Sequence, residues 1–267
     1  MATTAKRTAA TRSGSPATLP DRPVRPRVIT HNLASADGRL AVSPGILLMV
    51  DDRWPVSDPD PYTDVKRRHH PDALLEGSGS FVTDDETSAS LPSAGSDAGD
   101  LRQDFLPAAV LARATAGWLV VPDSRGRVRW GYKEYPGEEW AGWHLMVLVS
   151  QVTPASYLAY LRREAIPYLV AGHGRVDLAA ALERLAGLGV RTVVSTGGGR
   201  LNGALLRAGL VDAVEVEVVP MLVGGEDTPA LFTARDLRPG EAPTALRLEA
   251  VEQRPDGRVL LRWSVPR

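Results

Sequence analysis

The sequence predicts an α/β fold: a mostly parallel central sheet with helices between its strands and an antiparallel hairpin at the C-terminal end. Three observations carry this prediction. Short apolar or β-branched runs alternate with helical patterns along most of the chain. The stretch from Arg191 to Gly225 reads strand, glycine turn, helix, strand, which is the unit from which parallel sheets are built. The last two β-rich runs, Leu246 to Glu252 and Val259 to Val265, are joined by RPDG, whose Asp256 and Gly257 suit a hairpin turn.

Met1 to Pro26 is rich in Ala, Thr, Ser, Arg and Pro and has too few large apolar residues to offset ordering entropy, so residues 1–26 read as a disordered tail and 27–267 as the folded domain. Arg27 to Ala34 is the first core strand, and SADGR (35–39) after it is a turn that places Asn32, Ser35 and Asp37 at a strand end. Pro44 to Asp60 reads as a loop with at most a short strand. Tyr62 to His70 is a basic helix feeding the strand Asp72 to Leu75, the EGSGS turn (76–80) and VTDD (82–85). Glu86 to Asp104 is polar and reads as a mobile surface insertion. Strands follow at Gly117 to Val121, His144 to Val149 and Pro167 to Ala171, with helices at Ala155 to Glu164 and Leu178 to Leu188.

The glycine turn is the stretch with most chemical content. Thr192 to Ser195 is a short β-branched run suited to a buried strand, and it enters Gly197, Gly198 and Gly199 directly. Three glycines let the chain turn sharply and leave no Cβ between backbone N–H groups and a ligand. Leu201 to Ala208 has helical spacing, so a helix N-terminus opens beside them and offers its unpaired N–H groups to a phosphate. Asn202 stands where the dinucleotide fingerprint GxGxxG has its last glycine, so the turn alone serves both a phosphate seat and a plain βα connection. Gly209 ends the helix, and Ala213 to Val219 alternates acidic and apolar residues as a half-buried strand does.

Composition removes several function classes. A chain of 267 residues with a net charge of −1 offers no broad basic field for nucleic acid. Nothing approaches the ~20 apolar residues of a membrane span, and the first residues lack the core of a secretory signal, so the expected location is the cytoplasm. Without cysteine there is neither a disulfide nor a thiolate nucleophile. The five histidines lack metal-ligand spacing, no metal site is expected, and His69 and His70 read as surface residues of the basic helix. No GxSxG or GxxxxGKS motif is present.

Four blocks taken together, SADGR (35–39), DALLEGSGSFVTDD (72–85), VVPDS (120–124) and TGGGRLNGALLRAGLVDAVEVEVVPMLVGG (196–225), resemble in order and spacing the C-terminal reductase domain of the bacterial riboflavin-biosynthesis deaminase-reductase, the RibD C-terminal domain family. The resemblance runs from about Arg27 to the C-terminus. It implies a dihydrofolate-reductase-like three-layer α/β/α fold, NADPH as hydride donor, a small-molecule substrate and a homodimer. Carried over position by position, it sets Gly197, Gly198 and Gly199 with Arg200, Leu201 and Asn202 along the cofactor phosphates, and adds Ser80, Asp84 and Ser124 to the cofactor site. Arg68 corresponds to a substrate-holding arginine. Because a guanidinium grips phosphate bidentately, Arg125 and Arg127 are assigned to the 2′-phosphate of NADPH on that chemistry rather than on the resemblance.

The chain also departs from the family. Thr196 stands where the riboflavin reductases bind substrate with a glutamate, Glu76 replaces a valine at a strand end, and Glu86 replaces a proline. The deaminase half, which needs zinc-binding cysteines, has no counterpart. The reaction implied is hydride transfer to the sugar C1′ of a ribosylamino-pyrimidine phosphate, with Asn32, Ser35 and Thr196 on the substrate side and Asp37 as candidate proton donor or orienting group. Two alternatives stand beside it: a reductase of another imine, carbonyl or pteridine-like compound on the same scaffold, and a catalytically silent ligand-binding homodimer.

Overall fold

The structure, a computed structural model, describes residues 25–50, 61–82, 91–93 and 99–266. Its main sheet has nine strands in the order β10-β11-β9-β1-β8-β4-β5-β6-β7. These are β1 (Arg27–Ser35), β4 (Ala73–Leu75), β5 (Gly117–Pro122), β6 (Trp143–Val149), β7 (Tyr168–Val170), β8 (Thr192–Ser195), β9 (Ala213–Val219), β10 (Arg247–Gln253) and β11 (Val259–Ser264). The run from β9 to β7 is parallel throughout, and the β10–β11 hairpin joins antiparallel through β11 to β9. The small strands β2 (Ala41–Ser43) and β3 (Ile46–Leu47) pair only with each other.

Helices cover both faces because the strands are apolar on both. On one face the short α2 (Ala108–Leu111) with α4 (Leu178–Gly187) and α5 (Gly199–Arg207) cover Val28, Ala73, Leu75, Val120 and Val193, with Val110, Leu182, Leu185 and Leu205 packed among them. On the other, α1 (Pro61–His69) and α3 (Ala155–Arg163) bring Val65, Tyr157, Leu158 and Leu161 onto Ile29, Leu74, Leu119, Val147 and Val194. Within β4 the faces alternate, Ala73 and Leu75 to one side and Leu74 to the other, as the strand period requires. This doubly covered parallel sheet is the architecture expected from the sequence.

At the amino edge, carboxylates fasten the strand starts: Asp72 accepts from the N–H groups of Arg191 and Thr192, and Asp212 accepts from the Val28 N–H at 2.8 Å. Asp212 also holds the Arg25 guanidinium at 2.7 Å, so the chain is already anchored before Arg27. Residues 1–24 of the expected tail lie outside the described residues.

Three expectations need adjustment. The α5 helix starts at Gly199, inside the glycine run, rather than at Leu201. The end of the expected insertion is docked: Phe105 exchanges backbone hydrogen bonds with Tyr168, and Asp104 accepts the Val170 N–H, so this segment covers the edge strand β7. Residues 86–90 and 94–98 lie outside the described residues. Finally β9 is not half exposed, because Glu215 and Glu217 are buried under basic partners from α1 and the C-terminal hairpin.

Candidate active site

The carboxyl ends of β1, β8, β4 and β9 surround a cavity of about 220 Å³. Register explains which residues meet there. Leu75 of β4 pairs with Ser195 of β8, so Glu76 and Thr196, each one residue further on, lie side by side at the cavity wall. The Thr196 hydroxyl donates to Glu76 Oε1, and the Tyr62 hydroxyl from α1 donates to the same oxygen at 2.9 Å. Tyr135 lines the cavity beside them and stacks on Trp140 with ring centroids 4.2 Å apart. Burial pushes the Glu76 carboxyl above the usual carboxylate range, and the two hydroxyls only partly oppose it. The Tyr62 phenol is raised too, first by burial and then by Glu76.

The lining also includes His31, Leu40, Met49 and Glu217. His31 Nδ1 lies 3.3 Å from Glu215, which also meets His69 Nε2 at 2.9 Å and Arg68 Nη1 at 2.9 Å. Burial alone would raise the Glu215 carboxyl, but the His31 and His69 imidazoles set against it outweigh that and hold it well below the ordinary range. Glu217 is paired with Arg258 at 3.1 Å.

The glycine turn sits at the same edge and its residues divide the work. A Cβ on Gly199 would lie 1.9 Å from the Ala230 carbonyl oxygen, and one on Gly203 would lie 2.1 Å from that of Thr233, so both glycines permit close backbone packing. A Cβ on Gly198 would meet nothing within 4 Å. Gly198 is exposed, lines the cavity and caps α5, so a ligand can reach the first N–H groups of the helix there. This open cradle fits a phosphate group.

The other predicted residues separate into groups. Thr196, Asn32 and Ser80 line the cavity together with Gly198. The side chain of Asn202 is fully buried behind the turn, accepting from Ser195 and donating to Asn32 and Leu231, while Asn32 donates to the Gly197 carbonyl at 3.1 Å. These two amides position the turn. The Leu201 side chain packs into the core and Arg200 is exposed at the helix start. Ser124 and Arg125 lie at the carboxyl end of β5, Arg125 exposed and the Ser124 hydroxyl accepting the Val176 N–H at 2.9 Å. Asp84 lies outside the described residues.

Four placements differ from expectation. Ser35 is buried and, like Asp37, absent from the cavity lining. Asp37 accepts from the Ser35 hydroxyl at 2.6 Å and from the Val223 and Gly224 N–H groups, and these bonds, Ser35 first, lower it to about 2. It is ionised at neutral pH and fastens the 35–39 turn to the 221–225 segment. Arg68 is not turned to the cavity but spans Asp64 and Glu215. His69, expected at the surface, reaches inward to Glu215 with a side chain only 9 % exposed. Glu76, Tyr62, His31 and Glu215 had no role from the sequence; the one available signal was that Glu76 stood at a strand end where an apolar residue was expected.

A doubly wound sheet whose carboxyl edge holds a cavity beside a glycine-opened helix places the chain among α/β proteins with a concave site at the strand ends. Within that class the chain belongs to the RibD C-terminal domain family, whose profile matches residues 26–260. A 2,5-diamino-6-ribosylamino-4(3H)-pyrimidinone 5′-phosphate reductase of Methanothermobacter thermautotrophicus is 43% identical over 101 residues, a match spanning 38% of this chain and 45% of that protein. A protein of the same name from Archaeoglobus fulgidus is 27% identical over 78% of this chain and 86% of its own length. Among solved structures, a pyrimidine reductase-like protein of Corynebacterium diphtheriae superposes with a TM-score of 0.60 at 15% identity, covering 91% of this chain and 92% of that one. A Saccharomyces cerevisiae riboflavin biosynthesis reductase does so with a TM-score of 0.54 at 15% identity, covering 93% of each. At such identities the superpositions establish the fold.

Proposed function

We propose that this chain is an NADPH-dependent oxidoreductase of riboflavin biosynthesis that reduces a ribosylamino-pyrimidine phosphate to the ribitylamino product. The observation that carries this reading is the adjacency of the exposed Gly198 cradle to the cavity at Glu76 and Thr196. Family membership and the curated relatives supply the reaction class. In this arrangement the Gly197–Gly199 turn and the start of α5 take the pyrophosphate, Ser80 stands beside it, and Ser124 and Arg125 extend the cofactor site along the carboxyl edge toward β5, with Arg125 for the 2′-phosphate. The cofactor supplies hydride. The protein's part is to hold the acceptor carbon in the cavity, exclude water and deliver a proton.

The domain spans 27–267, and a cytoplasmic homodimer is part of the proposal. Among the described residues no helix is long and apolar enough to cross a membrane. A second reading, reduction of another imine, carbonyl or pteridine-like compound, draws support from the buried Glu76 and Thr196 pair, which gives the cavity wall its own polarity.

The test is titration with NADPH and NADH followed by loss of reduced-nicotinamide absorbance in the presence of enzymatically prepared ribosylamino-pyrimidine phosphate. Turnover with a preference for NADPH is expected. NADPH binding without turnover moves the assignment to the second reading, and no binding leaves a silent scaffold. Gly198→Val, which fills the open side of the cradle, should weaken NADPH about tenfold or more by blocking backbone approach; unchanged affinity would place the phosphates elsewhere.

A further inference from the structure

We propose that Glu76 is a catalytic residue of this site, a carboxylic acid that protonates the departing ring oxygen of the substrate before hydride reaches it. The inference rests on the reductase reading above and names the group that completes its chemistry. Hydride transfer alone leaves the reaction one proton short, and the cavity wall contains few groups able to give one.

Glu76 lies one residue past the Leu75–Ser195 pair, at the meeting point of β4 and β8, and lines the same cavity as Gly198. It is 6% exposed, so its only opening is toward that cavity. Among the described residues no lysine, arginine or histidine forms an ion pair with it, whereas the cavity's other carboxylate, Glu217, has Arg258. The groups facing it are neutral hydroxyls: Tyr62 from α1, Thr196 from the end of β8, and Tyr135 and Tyr132 from the segment before β6. Both bonding hydroxyls donate to Oε1, which leaves Oε2 as the oxygen to carry the acidic proton. A desolvated carboxyl without a cation stays protonated, and burial raises this one.

In the ribosylamine the nitrogen lone pair forms a C1′=N bond as the C1′–O4′ bond breaks, and O4′ takes the Glu76 proton to become a hydroxyl. Hydride from the reduced nicotinamide dinucleotide then adds to C1′, the C=N π pair returns to nitrogen, and the nicotinamide is oxidised. The Glu76 carboxylate, formed beside the cationic iminium, offsets its charge until hydride addition neutralises it, and solvent returns a proton to Glu76 once product leaves.

The test begins with the unaltered protein, since absence of turnover on the ribosylamino-pyrimidine phosphate would sink the reductase reading before Glu76 is in question. Given turnover, Glu76→Gln keeps the size and hydrogen-bonding capacity of the side chain and should lower kcat about a hundredfold or more at neutral pH, with the KM for NADPH unchanged. A second readout needs no cofactor: the infrared C=O stretch of a protonated carboxylic acid should be present at neutral pH and missing from the E76Q spectrum. The swap E76T/T196E, which returns a carboxyl across the strand pair, covers the case in which E76Q folds poorly and should recover at least tenfold over it. Full turnover in folded E76Q, no acid band at neutral pH, or a folded swap variant no faster than E76Q would each overturn the proposal.

Discussion

Glu76 and Glu215 are both buried glutamates of the central sheet, Glu76 just past β4 on the cavity and Glu215 within β9 against the cavity-lining His31, yet they are driven in opposite directions. Glu215 faces Arg68, His69 and His31 and is held ionised, while Glu76 faces hydroxyls and aromatic rings and is pushed toward its protonated form. Burial acts the same way on both, so their partners decide the difference. A carboxylate compensated on all sides is part of the framework, and a carboxylic acid open to a cavity is available for proton transfer.

Breaking the compensated side should produce the largest effect. Glu215→Gln leaves Arg68 and the imidazoles of His31 and His69 around a neutral amide, and should cost about 3–5 kcal/mol of stability by chemical denaturation at neutral pH. Because the folded-state pKa of Glu215 is depressed, its contribution is present above the unfolded value of about 4.3 and is lost as pH falls below it. The penalty of E215Q should therefore shrink in acid. A penalty that persists undiminished there would point to packing rather than charge.

Arg68→Ala probes the same network from α1 and should cost about 2 kcal/mol, within the range for hydrogen bonds to charged groups. Since Asp64 and Glu215 both engage Arg68, its loss should leave the substrate KM within about threefold, under 1 kcal/mol. A KM rise of ten times or more would return Arg68 to the substrate, as the sequence had suggested, and would blur the distinction between framework and site.

What could be read in the sequence follows from what each pattern reports. The strand and helix alternation located nearly every long element, and the glycine run located the helix opening, because these are local signals. The partners of Glu76 were not legible: Thr196 is 120 positions away and meets it only through the β4–β8 register. Both residues stood out as departures from the family pattern, but a linear chain does not say that two departures are neighbours. Alternation in β9 likewise identified a strand with two faces without saying that one face of acids would be covered by Arg68 and Arg258. Asp37 shows the opposite failure, since a carboxylate at a strand end looked chemical until its backbone partners, more than 180 positions away, were in place.

The acid side of the comparison can be sharpened through stability. With its folded-state pKa raised, Glu76 is protonated in both states below about pH 4.3, and above that value the unfolded chain ionises first. The unfolded state then binds fewer protons, so this group makes stability fall as pH rises toward the folded pKa. Glu76→Gln removes that slope. Relative to the unaltered protein, E76Q should gain stability as pH rises from about 4.3, opposite in trend to E215Q, whose deficit deepens over the rise toward that value. Parallel curves for the two variants would abolish the distinction.

The smallest expected effect separates burial from hydrogen bonding at Glu76. The Tyr62 hydroxyl donates to Oε1 at 2.9 Å and favours the ionised carboxylate, opposing the burial that favours the acid. Tyr62→Phe removes the donor, retains the ring on Trp140, and should cost about 1 kcal/mol. With less support for its ionised form, Glu76 should remain an acid to higher pH, so the alkaline limb of the kcat profile should move upward. Tyr62 is a poor source of that limb itself, because burial and the neighbouring carboxyl hold its phenol neutral far above the working range. A limb that moves downward would mean that losing the hydroxyl admits water to the carboxyl, making exclusion of solvent by Tyr62 more important to Glu76 than its hydrogen bond.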